Sequence, residues 1–312
     1  MPQVENRTQE QTRNYETESK RNWNDASRAV DDFKTDPLFI ESLYEAGITP
    51  SDQSSTDYTI ALSHFAASYV ETRTDDGTLN PELAQRITIV AEAPKFIAAQ
   101  DELNYYEELR KSRRLDDGEW KYYRDTLKPT VIEYNRLLSD YAYEHPTDEF
   151  STVESAIFNS AAQSHGNTAN VENQVTNTLR GARTESVTRQ LFDFAGIPYK
   201  PGTAESDARG GDLIVIFKGN EIKIDIKSSL IALADKRGGY SDFIEKNVMY
   251  SISKRPGEQK KDHVVSLYPG FSDGNLEALG DKLGIENGTE FVNQRTLILM
   301  IQLTKAANEL GY

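Results

Sequence analysis

The chain has 312 residues, with 50 acidic and 35 basic side chains that give a net charge of −15, and it contains no cysteine. This length suits one large or two ordinary domains with a sizeable core. The absence of cysteine excludes a disulfide scaffold, thiolate zinc sites, iron–sulfur clusters and thiol catalysis. Since the first residues lack the features of a secretory signal and no apolar run is long enough to cross a bilayer, we expect a cytoplasmic protein with no membrane association.

The negative charge is concentrated in the first half of the chain. Residues 1–150 contain 17 basic and 30 acidic side chains, whereas residues 151–312 contain 18 and 20. Within the second half, residues 218–262 contain ten basic and seven acidic side chains. Nucleic-acid affinity depends on local neutralisation of phosphates, so this basic segment is compatible with DNA binding, and equally with an ordinary solvated surface.

The first 150 residues are predicted to form a helical region. About the first 35 are polar with few apolar side chains, which indicates either a loosely held helix or a partly ordered arm. From Pro37 to about Tyr143, apolar and tyrosine side chains recur at helical spacing. Tyrosines in such stripes belong to a core or an interface more often than to a base-stacking surface. The segment His145-Pro146-Thr147-Asp148 interrupts the pattern, so we place the domain boundary there.

The second half combines helices with strands, which indicates an α+β or mixed α/β fold. Two helical segments are followed by Gly196, a residue typical of helix ends, and then by β-branched runs typical of strands. Gly219-Asn220 separates two of these runs and is a hairpin turn signal. In chain order we expect helices over 152–164 and 171–195, strands over 212–218, 221–227 and 263–267, a helix over 275–283 and a strand over 296–303.

The predicted hairpin brings ionisable side chains together. With Gly219 and Asn220 as the two loop residues, Asp212 lies opposite Lys227 and is a diagonal neighbour of Asp225. Because strand side chains alternate between the two faces, Asp212, Asp225 and Lys227 all project from the same face. Diagonal neighbours have Cβ atoms roughly 5–8 Å apart, so we expect a pair of carboxylates with an ammonium group beside them.

Two carboxylates at this separation repel each other unless a cation neutralises them. Mg²⁺ prefers oxygen ligands and completes its octahedral coordination with waters and substrate phosphate oxygens. Lys227 would then be placed to hold an attacking water or to meet negative charge that develops on a phosphate. The spacing therefore predicts a magnesium site suited to phosphodiester chemistry. The alternative is an ordinary hairpin in which Lys227 pairs with Asp212 across the strands.

This arrangement resembles the PD-(D/E)XK nuclease superfamily, which includes most type II restriction endonucleases. Gly211-Asp212 corresponds to the acidic residue that opens the first strand, and Asp225-Ile226-Lys227 to the acid-x-lysine triplet of the second. Glu185 corresponds to a glutamate that many members carry on the preceding helix. Glycine stands where the motif name has proline, and aspartate replaces the commoner glutamate; both departures are frequent in the superfamily. The resemblance covers about residues 175–230.

The resemblance implies a fold, a cofactor and a partner. The fold is a restriction-endonuclease-like mixed sheet flanked by helices over residues 151–312, with the helical region dimerising, covering DNA or reading it. Asp212, Asp225 and Glu185 would bind Mg²⁺, and Lys227 would orient or activate the water. The implied activity is site-specific cleavage of double-stranded DNA by a homodimer, in a system that would include a cognate DNA methyltransferase.

Basic side chains that follow the hairpin are candidates for contacts with DNA phosphates. They lie in segments predicted to be loops, where solvated surface charge is the alternative explanation. The candidates are Lys236, Arg237, Lys254, Arg255, Lys260 and Lys261.

Two other functions stay open on the sequence alone. A strongly acidic helical protein could be a non-catalytic interaction module or a DNA mimic, with an inert nuclease-like core. A structure-specific nuclease or resolvase would use the same catalytic residues, although resolvases of this class are usually much shorter. Incubation of plasmid DNA with the protein and Mg²⁺ distinguishes an enzyme from a non-catalytic module.

Overall fold

The computed structural model divides the chain into a helical unit and a unit that contains a β-sheet. The helical unit ends at Leu179 and the second unit begins at Arg180. This division falls later in the chain than the boundary near residue 150 that the sequence suggested. The structure describes residues 9–146, 148, 150–165, 167–202, 211–228, 250–253, 263–268 and 285–312.

The helical unit is built from α-helices joined by short connections. In chain order the helices are α1 Gln9–Phe33, α2 Pro37–Glu45, α3 Thr56–Asp75, α4 Pro81–Ser112, α5 Asp117–Tyr122, α6 Lys128–Glu144, α7 Phe150–Gln163 and α8 Thr168–Ala195, with a π-helix, Tyr123–Leu127, between α5 and α6. The residues of α8 from Arg180 onward belong to the second unit. Helices α1, α3, α6 and α7 all pack against α4, which is therefore the centre of the unit. The predicted helical character of the segment from Pro37 to Tyr143 is confirmed.

Short polar side chains fix where several of these helices begin. Asp36, Ser55 and Asn80 each accept a hydrogen bond from a backbone N–H in the first turn of α2, α3 and α4, respectively. Proline occupies the first position of α2 and of α4, where its missing N–H would have had no partner within the helix. The sequence signal Asn80-Pro81 therefore marks a true helix start.

A buried ion pair connects α1, α4, α6 and the segment after α6. Arg86 lies 3.6 Å from the carboxylate of Asp148 and donates a hydrogen bond of 2.8 Å to the hydroxyl of Tyr141. Asp148 also accepts hydrogen bonds from Trp23 and Tyr141. Because Trp23 is buried, this part of α1 is a packed helix and not a loose arm. Asp148 is likewise held within the helical unit, although the sequence placed a domain boundary beside it.

The described part of the second unit contains one mixed sheet of five strands, flanked by helices. The strands are β1 Tyr199–Pro201, β2 Leu213–Phe217, β3 Asn220–Ile226, β4 Tyr250–Ser253 and β5 Val264–Leu267, in the spatial order β1-β2-β3-β5-β4. Neighbouring strands are antiparallel except for β3 and β5, which are parallel. The predicted mixed α/β fold is confirmed at this level.

One face of the sheet packs against the second half of α8 and against α9, Ile285–Leu310. Leu191 and Phe192 of α8 and Leu299 and Leu303 of α9 are buried against apolar strand residues on that face. The strand residues concerned are Leu213, Val215, Phe217, Ile222, Ile224, Tyr250, Val265 and Leu267. This face is the core of the unit, and the alternate strand residues Ile214, Lys223 and Asp225 project from the opposite face.

Helix α9 corrects one of the predicted strands. The sequence predicts a strand over residues 296–303, but these residues lie within a helix of 26 residues. The apolar run over residues 296–303 is short enough to suit either a strand or a helix. The run together with the residues that follow it favours a helix, because buried apolar side chains recur at helical spacing, at Leu299, Leu303, Ala306 and Leu310. The predicted helix over 275–283 lies outside the described residues. Neither α9 nor any other helix in the described ranges is long and apolar enough to cross a membrane.

Removal of the Asp148 carboxylate should strongly destabilise the helical unit. Asp148→Ala leaves the Arg86 guanidinium buried with the exposed carboxylate of Glu82 as its one remaining ionic partner among the described residues, and breaking a buried ion pair costs up to about 3–5 kcal/mol. Chemical denaturation followed by circular dichroism measures the loss. Asp125→Ala removes an exposed partner of Arg124 and is the matched control, which should leave the midpoint unchanged. Equal midpoints for the two variants would contradict a stabilising role for the buried pair.

Candidate active site

The turn between β2 and β3 decides which residues of the hairpin face each other. Lys218 and Gly219 both have positive φ angles, of 50° and 79°, so they are the two central residues of the turn. Two such angles are typical of a type I′ hairpin, which favours glycine at the second central position. Phe217 therefore pairs with Asn220, and the predicted placement of the loop at Gly219-Asn220 is wrong by one residue.

The shifted turn brings the two aspartates level with each other. Leu213 pairs with Ile224 as the last pair of the ladder, so Asp212 directly precedes one member of this pair and Asp225 directly follows the other. The predicted pairing of Asp212 with Lys227, and the diagonal relation of the aspartates, are therefore wrong. Moving the turn by one residue changes the register by two residues, and a shift of two leaves every side chain on its original face. Asp212, Asp225 and Lys227 therefore keep the shared face that was predicted. The two carboxylates are close enough for the charge of Asp225 to act on Asp212.

Asp225 is buried, with 3% of its surface exposed, and both of its carboxylate oxygens have partners. Its Oδ1 lies 2.6 Å from Nζ of Lys227. Its Oδ2 accepts a hydrogen bond of 2.7 Å from Oγ of Ser266 in β5. Ile214 and Val264, which project from the same face, are buried too, so the carboxylate lies in surroundings with little water. A second negative charge in such a place is costly unless a cation is near.

Asp212 is held by the backbone of β3 and faces the charge of Asp225. Its Oδ2 accepts a hydrogen bond of 2.6 Å from the backbone N–H of Ile226. Removal from water, and then the charges of Asp225 and Glu185, raise the pKa of Asp212 well above its ordinary value. The N–H of Ile226 and the ammonium group of Lys227 act in the opposite direction without cancelling that rise. The metal-free site therefore disfavours a negative charge on Asp212.

The structure brings three of the four predicted catalytic residues together and places the fourth within electrostatic range. Lys227 contacts Asp225, which lies level with Asp212. Glu185 is half-buried on α8, and its charge acts on Asp212. The basic candidates for DNA contacts all lie outside the described residues: Lys236, Arg237, Lys254, Arg255, Lys260 and Lys261.

The donor atoms at the site fit a hard divalent cation. Asp212, Asp225 and Glu185 offer only carboxylate oxygens, which are the ligands that Mg²⁺ prefers. Among the residues that the structure describes, no three histidine or acidic side chains form a group that could enclose a metal. Mg²⁺ does not require such a cage, because it is usually held by one or two carboxylates and takes its other ligands from waters and substrate phosphates. A pair of opposed aspartates is sufficient for that mode of binding.

Ser266 belongs to the site, although no motif in the sequence identifies it. It interrupts the apolar run Val264-Val265-Ser266-Leu267, and a polar residue within a buried strand needs a hydrogen-bond partner. That signal indicates a specific role for the hydroxyl. The identity of its partner cannot be derived from the sequence, because β3 and β5 are far apart in the chain and pair in parallel.

The chain matches no family model, no curated protein and no solved structure. The chemistry of the site is therefore inferred from the side chains themselves, their burial and their mutual distances.

Replacement of Asp212 by asparagine should stabilise the metal-free protein at neutral pH. The amide oxygen of asparagine still accepts the hydrogen bond from the N–H of Ile226, while the charge that Asp225 and Glu185 repel is removed. Because the pKa of Asp212 is raised in the folded state, wild-type stability falls as the pH rises above about 3.9, the ordinary aspartate value. The advantage of Asp212→Asn should therefore be absent at acid pH and increase toward neutral pH.

Scanning calorimetry in EDTA at a series of pH values measures this difference. Glu221→Gln provides the control, since it neutralises an exposed carboxylate on the same face of β3 and should not change the melting temperature. A lower melting temperature for Asp212→Asn than for the wild type at neutral pH would contradict the expected repulsion.

Proposed function

We propose that the chain is a Mg²⁺-dependent endonuclease that hydrolyses phosphodiester bonds in DNA. The observation that carries this proposal is the arrangement of Asp212, Asp225 and Lys227 on one face of the sheet, with the two aspartates level and the lysine in contact with one of them. The cluster is partly withdrawn from water, and a structural ion pair would not require a second, opposed carboxylate. A site for a divalent cation and a phosphodiester does require one.

Asp212 and Asp225 would hold the metal ion directly, and Glu185 would act as an outer or second-metal ligand. A bound Mg²⁺ supplies a Lewis acid that neutralises charge on the phosphodiester and makes a water more acidic. The backbone N–H of Ile226 keeps the carboxylate of Asp212 oriented. Lys227, with 23% of its side chain exposed, has a flexible stem that allows its ammonium group to reach either a water or a phosphate oxygen.

The same strand contains a second acid-x-lysine triplet that serves as an internal comparison. Glu221-Ile222-Lys223 lies four residues earlier and projects its two charged side chains from the same face. However, the side chain of Glu221 is 60% exposed, lies 2.7 Å from Lys200 and is opposite Ile216. No carboxylate opposes Glu221 in the described part of the hairpin, and Glu221 forms an ordinary surface ion pair with Lys200.

Cleavage of both strands of a duplex by a chain with one such site requires two copies of the site. A symmetric homodimer satisfies this requirement, and most oligomers of soluble proteins have this symmetry. We therefore propose site-specific double-strand cleavage as in type II restriction enzymes, with the helical unit contributing to dimerisation or to DNA contact. A cognate DNA methyltransferase would then protect the host genome.

Plasmid cleavage tests the proposal. The wild type with Mg²⁺ should convert supercoiled plasmid into discrete linear fragments, and EDTA should abolish the reaction. Lys227→Ala should slow cleavage by about 10²–10³-fold, the usual effect of removing a group that stabilises developing charge. Asp225→Asn should abolish cleavage, because it removes a metal ligand.

The two triplets provide matched controls for these variants. Lys223→Ala and Glu221→Gln alter the same residue types on the same strand face and should cleave at the wild-type rate. Equal loss of activity in the control and site variants would show a general effect on the hairpin instead of a catalytic role. Absence of cleavage by the wild type with Mg²⁺, Mn²⁺ or Co²⁺ on several plasmids would contradict the proposal and favour a non-catalytic interaction protein.

A further inference from the structure

The carboxylate of Asp225 is shared between two partners of very different mobility. Lys227 contacts Oδ1 from a flexible side chain just beyond the end of β3, and this side chain is partly exposed. Ser266 donates to Oδ2 from the middle of β5 and is completely buried. One partner can therefore move away during a reaction, while the other is fixed by the sheet.

The sheet itself fixes the position of Ser266. Asp225 and Ser266 are paired residues in the parallel register of β3 and β5. On the other side of β5, Ser251 of β4 is paired with Ser266 and is buried as well. Val265 and Leu267, the neighbours of Ser266, lie in the apolar core on the opposite face. The hydroxyl of Ser266 is thus held beside Asp225 by strand pairing and by core packing.

We infer that Ser266 is a positioning residue that holds Oδ2 of Asp225, so that Oδ1 is the oxygen presented to a divalent cation. This inference rests on the proposed function. A hydrogen bond from a hydroxyl to an ionised carboxylate is short and comparatively strong, and it restricts the rotation of the carboxylate. When Lys227 turns toward a water or a phosphate, Ser266 keeps Asp225 in place.

The two partners of Asp225 should therefore have opposite effects on metal binding. Ser266 orients the ligand oxygen, so its loss should weaken Mg²⁺ binding by about 10- to 100-fold, as is usual for groups that hydrogen-bond to metal ligands. Lys227 places a positive charge against the same oxygen and competes with the cation. Replacement of Lys227 by alanine should leave Mg²⁺ affinity unchanged or increased, although cleavage is slowed.

The test compares Mg²⁺ binding without DNA and the Mg²⁺ dependence of cleavage in the same set of variants. Isothermal titration with Mg²⁺ gives the affinity, and initial cleavage rates at increasing Mg²⁺ give the half-saturating concentration and the maximal rate. Ser266→Ala should raise both the dissociation constant and the half-saturating concentration by about 10- to 100-fold, with a smaller change in the maximal rate. Ser266→Cys retains the packing but provides only a weak hydrogen-bond donor, so it should also raise both the dissociation constant and the half-saturating concentration.

Ser251→Ala is the matched control, because Ser251 is a buried serine on the adjacent strand, paired with Ser266. It should leave the Mg²⁺ affinity unchanged, and circular dichroism and melting temperature establish that each variant is folded. Wild-type Mg²⁺ affinity in folded Ser266→Ala and Ser266→Cys would overturn the positioning role and leave the proposed nuclease function intact. A wild type that neither binds Mg²⁺ nor cleaves DNA would overturn both.

Discussion

The placement of Asp212 and Asp225 beside the Leu213–Ile224 pair of the β2–β3 hairpin is the constraint on which the rest of the site depends. The turn at Lys218 and Gly219 produces it, because this pair of positive φ angles sets the register of the two strands. Once the aspartates are level, Lys227 necessarily returns to the same face two residues after Asp225. The hydrogen bonds that the aspartates accept from β3 and β5 then determine which carboxylate oxygens are available to a metal ion.

The apolar core keeps the aspartates on their face of the sheet without any help from a metal. Leu213, Val215, Ile222 and Ile224 pack against α8 and α9, and the alternation of strand side chains forces their neighbours onto the other face. A slip of one residue in the register would bury charged side chains in this core and expose the apolar ones. The free energy of core packing therefore maintains two like charges at a separation that they would not adopt by themselves.

The sequence was sufficient to predict the hairpin and the shared face, because both depend on local periodicity, whereas Glu185 on α8 was suggested only by the resemblance to a known family. It was insufficient for the exact register, since Gly219-Asn220 and Lys218-Gly219 are both acceptable two-residue turns and only the paired strands distinguish them. It also failed for residues 296–303, where a short apolar run fits a strand or a helix. Ser266 was beyond reach for a different reason, because its role depends on a parallel pairing between distant segments.

The two buried carboxylate clusters of this chain differ in how their charge is compensated, and the difference bears on function. Asp148 receives hydrogen bonds from Trp23 and Tyr141 and lies beside Arg86, and these contacts hold its pKa below the ordinary value despite burial. Asp212 has a backbone hydrogen bond and the nearby Lys227, yet burial and two carboxylates raise its pKa.

An ion pair that serves only to stabilise the fold is expected to resemble the cluster around Asp148, because an uncompensated buried charge lowers stability without a benefit. The second cluster places three carboxylates near one another, an excess over the groups of the protein that can compensate them. Such an excess is reasonable where a cation and a substrate complete the site, since strain of this kind in the free protein favours binding of a positive ion. The cost in stability at Asp212 is then a consequence of the same arrangement that would bind Mg²⁺.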